Sequence, residues 1–535
     1  MTYFGNGDKM GRYMNIRELV ESFCRENSPR TAFKIKHKNG KEISYEDITF
    51  SRLFREVTAL GKFFANNFEE NDTIAVVGKN CYEWMLVYLA VLSAGRIIVP
   101  LDRALPSQEM ESQLERANVK AVFYTEDLKA FYNSYRDAQT YCMNDDNFKS
   151  LIESSMALDS TSYDNTEIDI EKTSLILFTS GTTSKSKAVM LSQKNIVSNV
   201  IALKKHVTFY NTDVNMALLP FHHGFGMTQI VLFLSIGICN VFCEGLRIAR
   251  CLKEYRVTIL VCVPRIADEI MGAIQSKLKK TGKDALVNTM ATAAGILNRF
   301  KIDIRRRLFK KIINELGGGL RLIIIGAAPA TPAVLKRFNE FGILTIQGYG
   351  LTEASPVLCA ESDRIMRLGS IGKPLPDIDI RIDSPDENGI GEIIAKGDNI
   401  MNGYYKDEES TNAVLKNGYF HTGDMGYFDK DGFLYITGRK KNVIVLSNGK
   451  NVFPEELELV ISQCEAVKEC IVSQKDGELH SKIVYKTDYD EETAKETINK
   501  YIETMNESLV SYKQIHSVEF TDKEFEKTTT LKIKR

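Results

Sequence analysis

No two of the ten cysteines in this chain are spaced Cys-x-x-Cys, and several, such as Cys262 in the run Leu260–Val263, sit among apolar residues. That spacing gives no frame for a zinc ribbon or a set of disulfides, and reduced, buried thiols are expected. Charge of one sign is also missing. The 69 basic and 70 acidic residues leave a net charge of -1, so there is no electrostatic case for a nucleic-acid partner; a local basic patch against a membrane stays open. The most apolar stretch, Ile230 to Phe242, falls short of the roughly 20 residues that a spanning helix needs. Met1 to Glu18 has no apolar core of a secretory signal. A cytoplasmic protein without a transmembrane segment is expected. There is no internal repeat and no low-complexity linker.

What is present is a long chain of alternating texture. Its 535 residues, 44% hydrophobic, suit about three or four units, some sharing a core. Buried-type runs precede helical patterns three times: Thr73–Val77 before Cys81 to Ala94, Ile259–Val263 before Ile266 to Ala273, and Leu322–Ile325 before Pro332 to Phe341. Continuous apolar strands between helices indicate mostly parallel sheets, so the first two-thirds reads as α/β. After about Pro374 apolar and polar residues alternate and turns such as Glu387-Asn388-Gly389 separate the runs. Half-exposed antiparallel strands follow from that period. The last hundred residues hold two amphipathic helix candidates, near Pro454 to Cys464 and Glu491 to Glu507, with short strands around them. A boundary is placed at Gly438, dividing the chain into residues 1–438 and 439–535.

The sharpest local feature is Leu175-Ile176-Leu177-Phe178-Thr179-Ser180-Gly181-Thr182-Thr183-Ser184-Lys185-Ser186-Lys187. A buried strand runs into small hydroxyl residues and two lysines. Phosphate binding needs many donors close together; Ser and Thr hydroxyls, backbone N–H groups exposed at Gly and a Lys ammonium supply them. It is no Walker A loop, because no second Gly precedes Lys187 and Ala188 stands where Ser or Thr would hold magnesium. Further on, Gln347-Gly348-Tyr349-Gly350-Leu351-Thr352-Glu353 offers an aromatic face, a hydroxyl and a carboxylate within five residues, and Gly423-Asp424 puts a carboxylate after a turn, a usual ribose acceptor.

These segments resemble, in order, the motifs of the adenylate-forming superfamily: acyl-CoA synthetases, peptide-synthetase adenylation domains and beetle luciferases. The loop matches at Thr179, Ser180, Gly181, Thr182, Thr183 and Lys187, and departs at Ser184, Ser186 and Ala188, where the family has Gly, Pro and Gly. The resemblance implies that Gln347, Gly348, Tyr349 and Gly350 line the nucleotide, with Tyr349 on one adenine face and Gly326, Ala327 and Ala328 on the other. It implies Thr352 at the α-phosphate, Glu353 on Mg²⁺, Asp424 on the ribose, Arg439 on ribose or phosphate, and Lys441 as a hinge. Gly449 and Lys450 match the turn near the pantetheine tunnel. Lys532 matches the terminal catalytic lysine, although Leu531 replaces the family glycine; Lys527 is its rival. Pro220 to Met227 resembles the substrate-side motif, in which His222 either flanks the carboxylate or is simply packed, and Phe and Met would line an apolar tail.

The implied fold is a large N-terminal AMP-binding domain of two α/β subdomains plus a distorted antiparallel β-barrel lobe, followed by a small mobile α+β domain. The implied reaction joins a carboxylic acid to AMP, with release of pyrophosphate, and then to a thiol, using ATP, Mg²⁺ and coenzyme A. Ile274 to Ile313, long, helical in pattern and basic, looks most like the long-chain fatty acyl-CoA synthetases, and makes a medium- or long-chain fatty acid the expected substrate. Two alternatives stand beside it: loading of the acyl group onto a carrier-protein phosphopantetheine, and a degenerate nucleotide-binding protein without turnover, suggested by the substitutions at Ser184, Ala188 and Leu531.

Overall fold

The computed structural model describes residues 14–133, 135, 137–179, 186–243, 247–446, 450–527 and 533. Two large sheets dominate it. The first has seven strands in the spatial order Gly403–Tyr404, Lys187–Ser192, Thr173–Thr179, Ile97–Leu101, Thr73–Val77, Val119–Tyr124 and Gln139–Cys142. It is parallel from Thr173–Thr179 onward and antiparallel at the other edge. The second has nine strands, with Leu344–Gly350, Leu322–Ile325, Ile259–Cys262, Val214–Ala217, Cys239–Phe242 and Thr31–Asn39 parallel at its centre. Antiparallel strands close both its edges.

Two helices apolar on every side join the sheets, as such helices must be buried on every side. Tyr82–Ser93 buries every residue but Glu83, and Gly224–Ile236 every residue but Phe225 and Ile236. One core cluster contains side chains of both helices, of Thr73–Val77 and Ile97–Leu101 from the first sheet, and of Ile259–Cys262 and Leu344–Gly350 from the second. The apolar run Ile230 to Phe242 is thus the end of a core helix and the next strand. Among the described residues no helix is long and apolar enough to cross a membrane.

The texture change after Pro374 corresponds to a curled antiparallel sheet built on Asp379–Asp383, Gly391–Lys396, Tyr419–Phe428 and Leu434–Arg439. Tyr419–Phe428 alternates buried and half-buried residues along most of its length, the period of a sheet with one covered face. A small unit with its own core follows. Helices Pro454–Ile461 and Glu491–Glu507 pack on the three strands Val467–Lys475, Glu478–Tyr485 and Ser517–Thr521 through Leu457, Ile461, Ile483, Ile498 and Ile502. The expected classes and order of elements are present throughout. Strand Leu434–Arg439 runs one residue past the boundary placed at Gly438.

Candidate active site

The motif residues collect at the C-terminal ends of the parallel strands of the second sheet, where open α/β sheets leave a crevice for ligands. Strand Leu322–Ile325 delivers Gly326, Ala327 and Ala328, and strand Leu344–Gly350 delivers Gln347 to Gly350. A Cβ on Gly326 would lie 2.8 Å from the Phe225 ring, so only glycine lets this backbone pass so near the aromatic. Gly350 is held closer still, since a Cβ there would meet the Pro356 carbonyl oxygen at 1.7 Å. Ala327 adopts φ +71, an uncommon conformation for a residue with a side chain, of a kind that clusters at ligand sites.

Asp424 and Arg439 face each other across the pair of antiparallel strands Tyr419–Phe428 and Leu434–Arg439. The Arg439 Nε donates to Asp424 Oδ1 at 2.8 Å, and the Tyr349 hydroxyl donates to Asp424 Oδ2 at 2.7 Å. Burial and the neighbouring carboxylate push the Tyr349 phenol well above its ordinary range, so it stays a donor. One carboxylate therefore ties the glycine-rich strand to the curled sheet.

A second tie lies a few residues on. Glu353 sits in the short turn Thr352–Ala354, and its Oε1 accepts from the Tyr404 hydroxyl at 2.9 Å. Above the Tyr404 ring, 4.4 Å from its centroid, lies the Lys187 ammonium. Tyr404 is placed there by pairing with Val189 at the edge of the first sheet. No prior motif pointed to this tyrosine; its role depends on a strand pair more than 200 residues apart in sequence. Thr179 faces Lys187 across the hairpin that the hydroxyl-rich loop closes. Ser180, Gly181, Thr182 and Thr183 lie outside the described residues. Ser186 is anchored by Arg116, whose Nη2 donates to its carbonyl at 2.8 Å, a second contact that local sequence could not show.

Mg²⁺ fits this arrangement. Glu353 is half-buried, and its second oxygen makes no hydrogen bond among the described residues. Mg²⁺ is commonly held by one or two carboxylates together with substrate phosphates, which is the donor set available here.

His222 lies apart from the nucleotide motifs, on the wall of a cleft of about 1900 Å³ that also exposes Asn80, Asp102, Arg103 and His223. Its Nε2 is 3.5 Å from Asp102 Oδ2. Burial and the adjacent His223 lower its pKa to about 4, so the ring is neutral at pH 7. Two residues on, Phe225 packs against Gly326, so the segment 222–225 links this cleft to the nucleotide crevice. Of the Phe and Met side chains of Pro220 to Met227, Phe221 and Met227 are buried in the core, Phe221 against Trp84 and Phe242, and Phe225 is half-buried against Gly326. The cleft walls are mixed, with Arg52, Arg55 and Lys79 beside Ile35, Phe148 and Phe242.

Toward the C-terminal unit, Lys441 lies in the turn Lys440–Asn442. Its neighbours fasten the turn on both sides: Lys440 Nζ is 2.8 Å from Glu392, and Asn442 donates to Glu455 at 2.6 Å. Lys450 pairs with Glu387, in the turn between two strands of the curled sheet, at 2.7 Å. Gly449 and Lys532 lie outside the described residues. Lys527, the rival terminal lysine, is held by Glu469 and by Glu524 within the C-terminal unit.

The sequence profile of the AMP-binding enzyme family matches residues 20–405, and that of the AMP-binding enzyme C-terminal domain matches residues 441–535. A 2-succinylbenzoate–CoA ligase of Bacillus cereus (strain Q1) is 28% identical over 496 residues, covering 90% of this chain and 91% of its own. The peroxisomal long chain acyl-CoA synthetase 6 of Arabidopsis thaliana is 29% identical over 471 residues, covering 80% and 66%. Among solved structures, O-succinylbenzoate coenzyme A synthetase (MenE) of Bacillus subtilis in complex with AMP superposes with TM-score 0.73 at 23% identity, and ATP-bound MatB of Rhodopseudomonas palustris with TM-score 0.75 at 22%, each covering 97% of both chains. Fold and site together define a two-domain adenylate-forming enzyme. The chain belongs to the AMP-binding enzyme family, as an acid–coenzyme A ligase of the AMP-forming kind that works with ATP, Mg²⁺ and coenzyme A.

A buried carboxyl behind the nucleotide strand supplies a pH test. Glu361 accepts from the Gln347 and Arg367 backbone N–H groups, each at 3.0 Å, and burial raises its pKa to about 7. A carboxyl raised from 4.5 to about 7 binds a proton in the folded state that the unfolded chain has released, so its contribution to stability is lost as pH rises through that window. The loss amounts to about 3 kcal/mol. Glu361→Gln carries a pH-independent cost, because its amide nitrogen cannot accept one of the two N–H groups, and on top of it thermal melts of variant and wild type should shift relative to each other in the variant's favour between pH 5 and pH 8. Parallel pH profiles would show that this carboxyl is not buried as described.

Proposed function

We propose that the enzyme activates a medium- or long-chain fatty acid and transfers it to coenzyme A. The observation that carries the ligase chemistry is the pair of linked carboxylates, Asp424 through Tyr349 and Glu353 through Tyr404 and Lys187, around one crevice. The fatty-acid assignment is supported by the cleft of about 1900 Å³ beside His222, by the helical, basic segment 274–313 and by the resemblance to long-chain synthetases. A second reading, an aromatic dicarboxylic acid of the 2-succinylbenzoate kind, is supported by the Bacillus relatives and by the arginines and lysines on the cleft wall.

In the first half-reaction a carboxylate oxygen attacks the α-phosphorus of ATP, and the bond to the bridging oxygen of pyrophosphate breaks. Both reactants are anionic, so the protein's task is charge neutralisation and alignment. In this proposal Asp424 accepts the ribose hydroxyls, Arg439 donates to that carboxylate from the neighbouring strand, and Tyr349 with the Gly326–Ala328 backbone bounds the base. Thr352 and the hydroxyl-rich loop donate to phosphate oxygens. Glu353 would hold Mg²⁺, whose contribution when bound is to neutralise phosphate charge. Lys532 is assigned the α-phosphate by its match to the family's terminal lysine. In the second half-reaction the thiol sulfur attacks the acyl carbon and AMP leaves. Lys532 must then withdraw, and the family resemblance puts the hinge for that rotation at Lys441, in the turn Lys440–Asn442.

A lysine about 4 Å from a phosphate oxygen at an effective dielectric near 20 contributes about 4 kcal/mol, or roughly a thousandfold in rate. Lys532→Ala should lose adenylation by that order while converting supplied acyl-AMP to thioester at near the wild-type rate; equal loss of both steps argues against the assignment. Tyr404→Phe should raise the Mg²⁺ concentration for half-maximal activity about tenfold, in line with the loss of a group that orients a metal ligand. The same variant should reduce the extra thermal stabilisation that MgATP gives over ATP with a chelator; an unchanged increment would place Tyr404 outside the metal site. Substrate class is read directly by acid-dependent exchange of pyrophosphate into ATP, from acetate to oleate and including 2-succinylbenzoate. Signal with oleate and none with 2-succinylbenzoate is expected, and the reverse pattern selects the second reading. Thioester formation with free coenzyme A then separates a ligase from a carrier-protein loader.

A further inference from the structure

Helix Asp284–Arg299 turns Val287, Ala291 and Ala294 toward the core. On its opposite face it carries a second apolar stripe that meets solvent. Leu286 is 59% exposed and Ile296 53%, and just past the helix end Phe300 and Ile302 are 73% and 52% exposed. The spacing of Leu286, Ala293, Ile296 and Phe300 keeps them on one side at 100° per residue. Residues 285–298 include no charged side chain at all. An outward helix face usually carries charge, and an uncharged strip of exposed apolar side chains, interrupted here by Thr289, marks an interaction site.

Both ends of the strip are ringed by cations. Residues 277–311 contain eleven lysines and arginines against two aspartates, in a chain whose totals nearly cancel at 69 and 70. Some of these cations are used within the fold: Lys277 pairs with Glu315, Arg305 with Asp303, and Arg306 donates to the Leu320 carbonyl. Lys279, Lys280 and Lys283 at one end, and Arg299, Lys301 and Arg307 at the other, are exposed and form no ion pair among the described residues.

We infer that this face docks the protein on an anionic phospholipid surface, with the Leu286–Phe300 stripe dipped among the acyl chains and the flanking cations at the phosphates. A helix with one uncharged apolar face and a Lys/Arg rim lies in a bilayer interface for these two reasons together. A second copy of the chain is the poorer occupant, because apposing the two faces would bring the two cationic rims together. The inference does not depend on which acid is activated.

The test is co-sedimentation of the full-length protein with vesicles of phosphatidylcholine alone or doped to about one-third with phosphatidylglycerol, at low and high salt. Binding is expected to the anionic vesicles, at least tenfold above neutral ones, and to weaken with salt. The double variant Ile296→Ser/Phe300→Ser and the triple variant Lys279→Glu/Lys280→Glu/Lys283→Glu should each lower it about tenfold or more, while melting temperature and pyrophosphate exchange with a short soluble acid stay at wild-type levels. Three outcomes overturn the inference: no sedimentation with anionic vesicles, equal binding to neutral ones, or variants that bind as wild type does. A concentration-dependent dimer in gel filtration that the serine variant abolishes, with no vesicle binding, assigns the face to a second copy instead.

Discussion

Asp424 holds the site together because its carboxylate is shared. It lies in the curled sheet, accepts from Tyr349 at the end of a parallel strand, and faces Arg439, the last residue of the strand that leads to the C-terminal unit. The curled sheet and the glycine-rich strand of the second sheet thus meet on two oxygen atoms. Buried hydrogen bonds to a charged group are worth more than neutral ones and are costly to leave unmade, so the pieces are held in a fixed relation before any nucleotide arrives. That fixity suits a reaction whose difficulty is bringing two anions together, since groups already aligned need not be reorganised at the moment of reaction.

Tyr404 plays the corresponding part for the phosphate side. It belongs to a two-residue edge strand of the first sheet, yet its hydroxyl orients Glu353 at the end of the second. The couplings between the two sheets include the buried helices Tyr82–Ser93 and Gly224–Ile236 in the core and one phenol beside the crevice. Packing sets the distance between the sheets, and the phenol sets the rotamer of the carboxylate.

Much of this was legible beforehand, for reasons that lie in local chemistry. Parallel strands buried on both faces must be apolar throughout, so Thr73–Val77, Ile259–Cys262 and Leu322–Ile325 stood out as runs. The half-exposed strands after Pro374 announced themselves by alternation. The nucleotide motifs were legible because each packs its donors into a few consecutive residues. What escaped were contacts whose partners are far apart: Tyr404 on Glu353, Arg116 on Ser186, and Glu361 beneath Gln347. Residue type alone suggests a pocket wall for the Phe and Met of Pro220 to Met227, but the nearly enclosed helix from Gly224 takes Met227 into the core and Phe221 packs there beside Trp84.

The sequence by itself determined the classes of the elements, their order and the chemical inventory of the crevice, because periodicity and short motifs are written in consecutive residues. Which face of helix Asp284–Arg299 meets solvent, that Lys527 is held by two glutamates, and which tyrosine bonds the Glu353 carboxylate were decided only by tertiary structure. Each of those depends on distance in space between residues tens or hundreds of positions apart, and only the packed chain sets that distance.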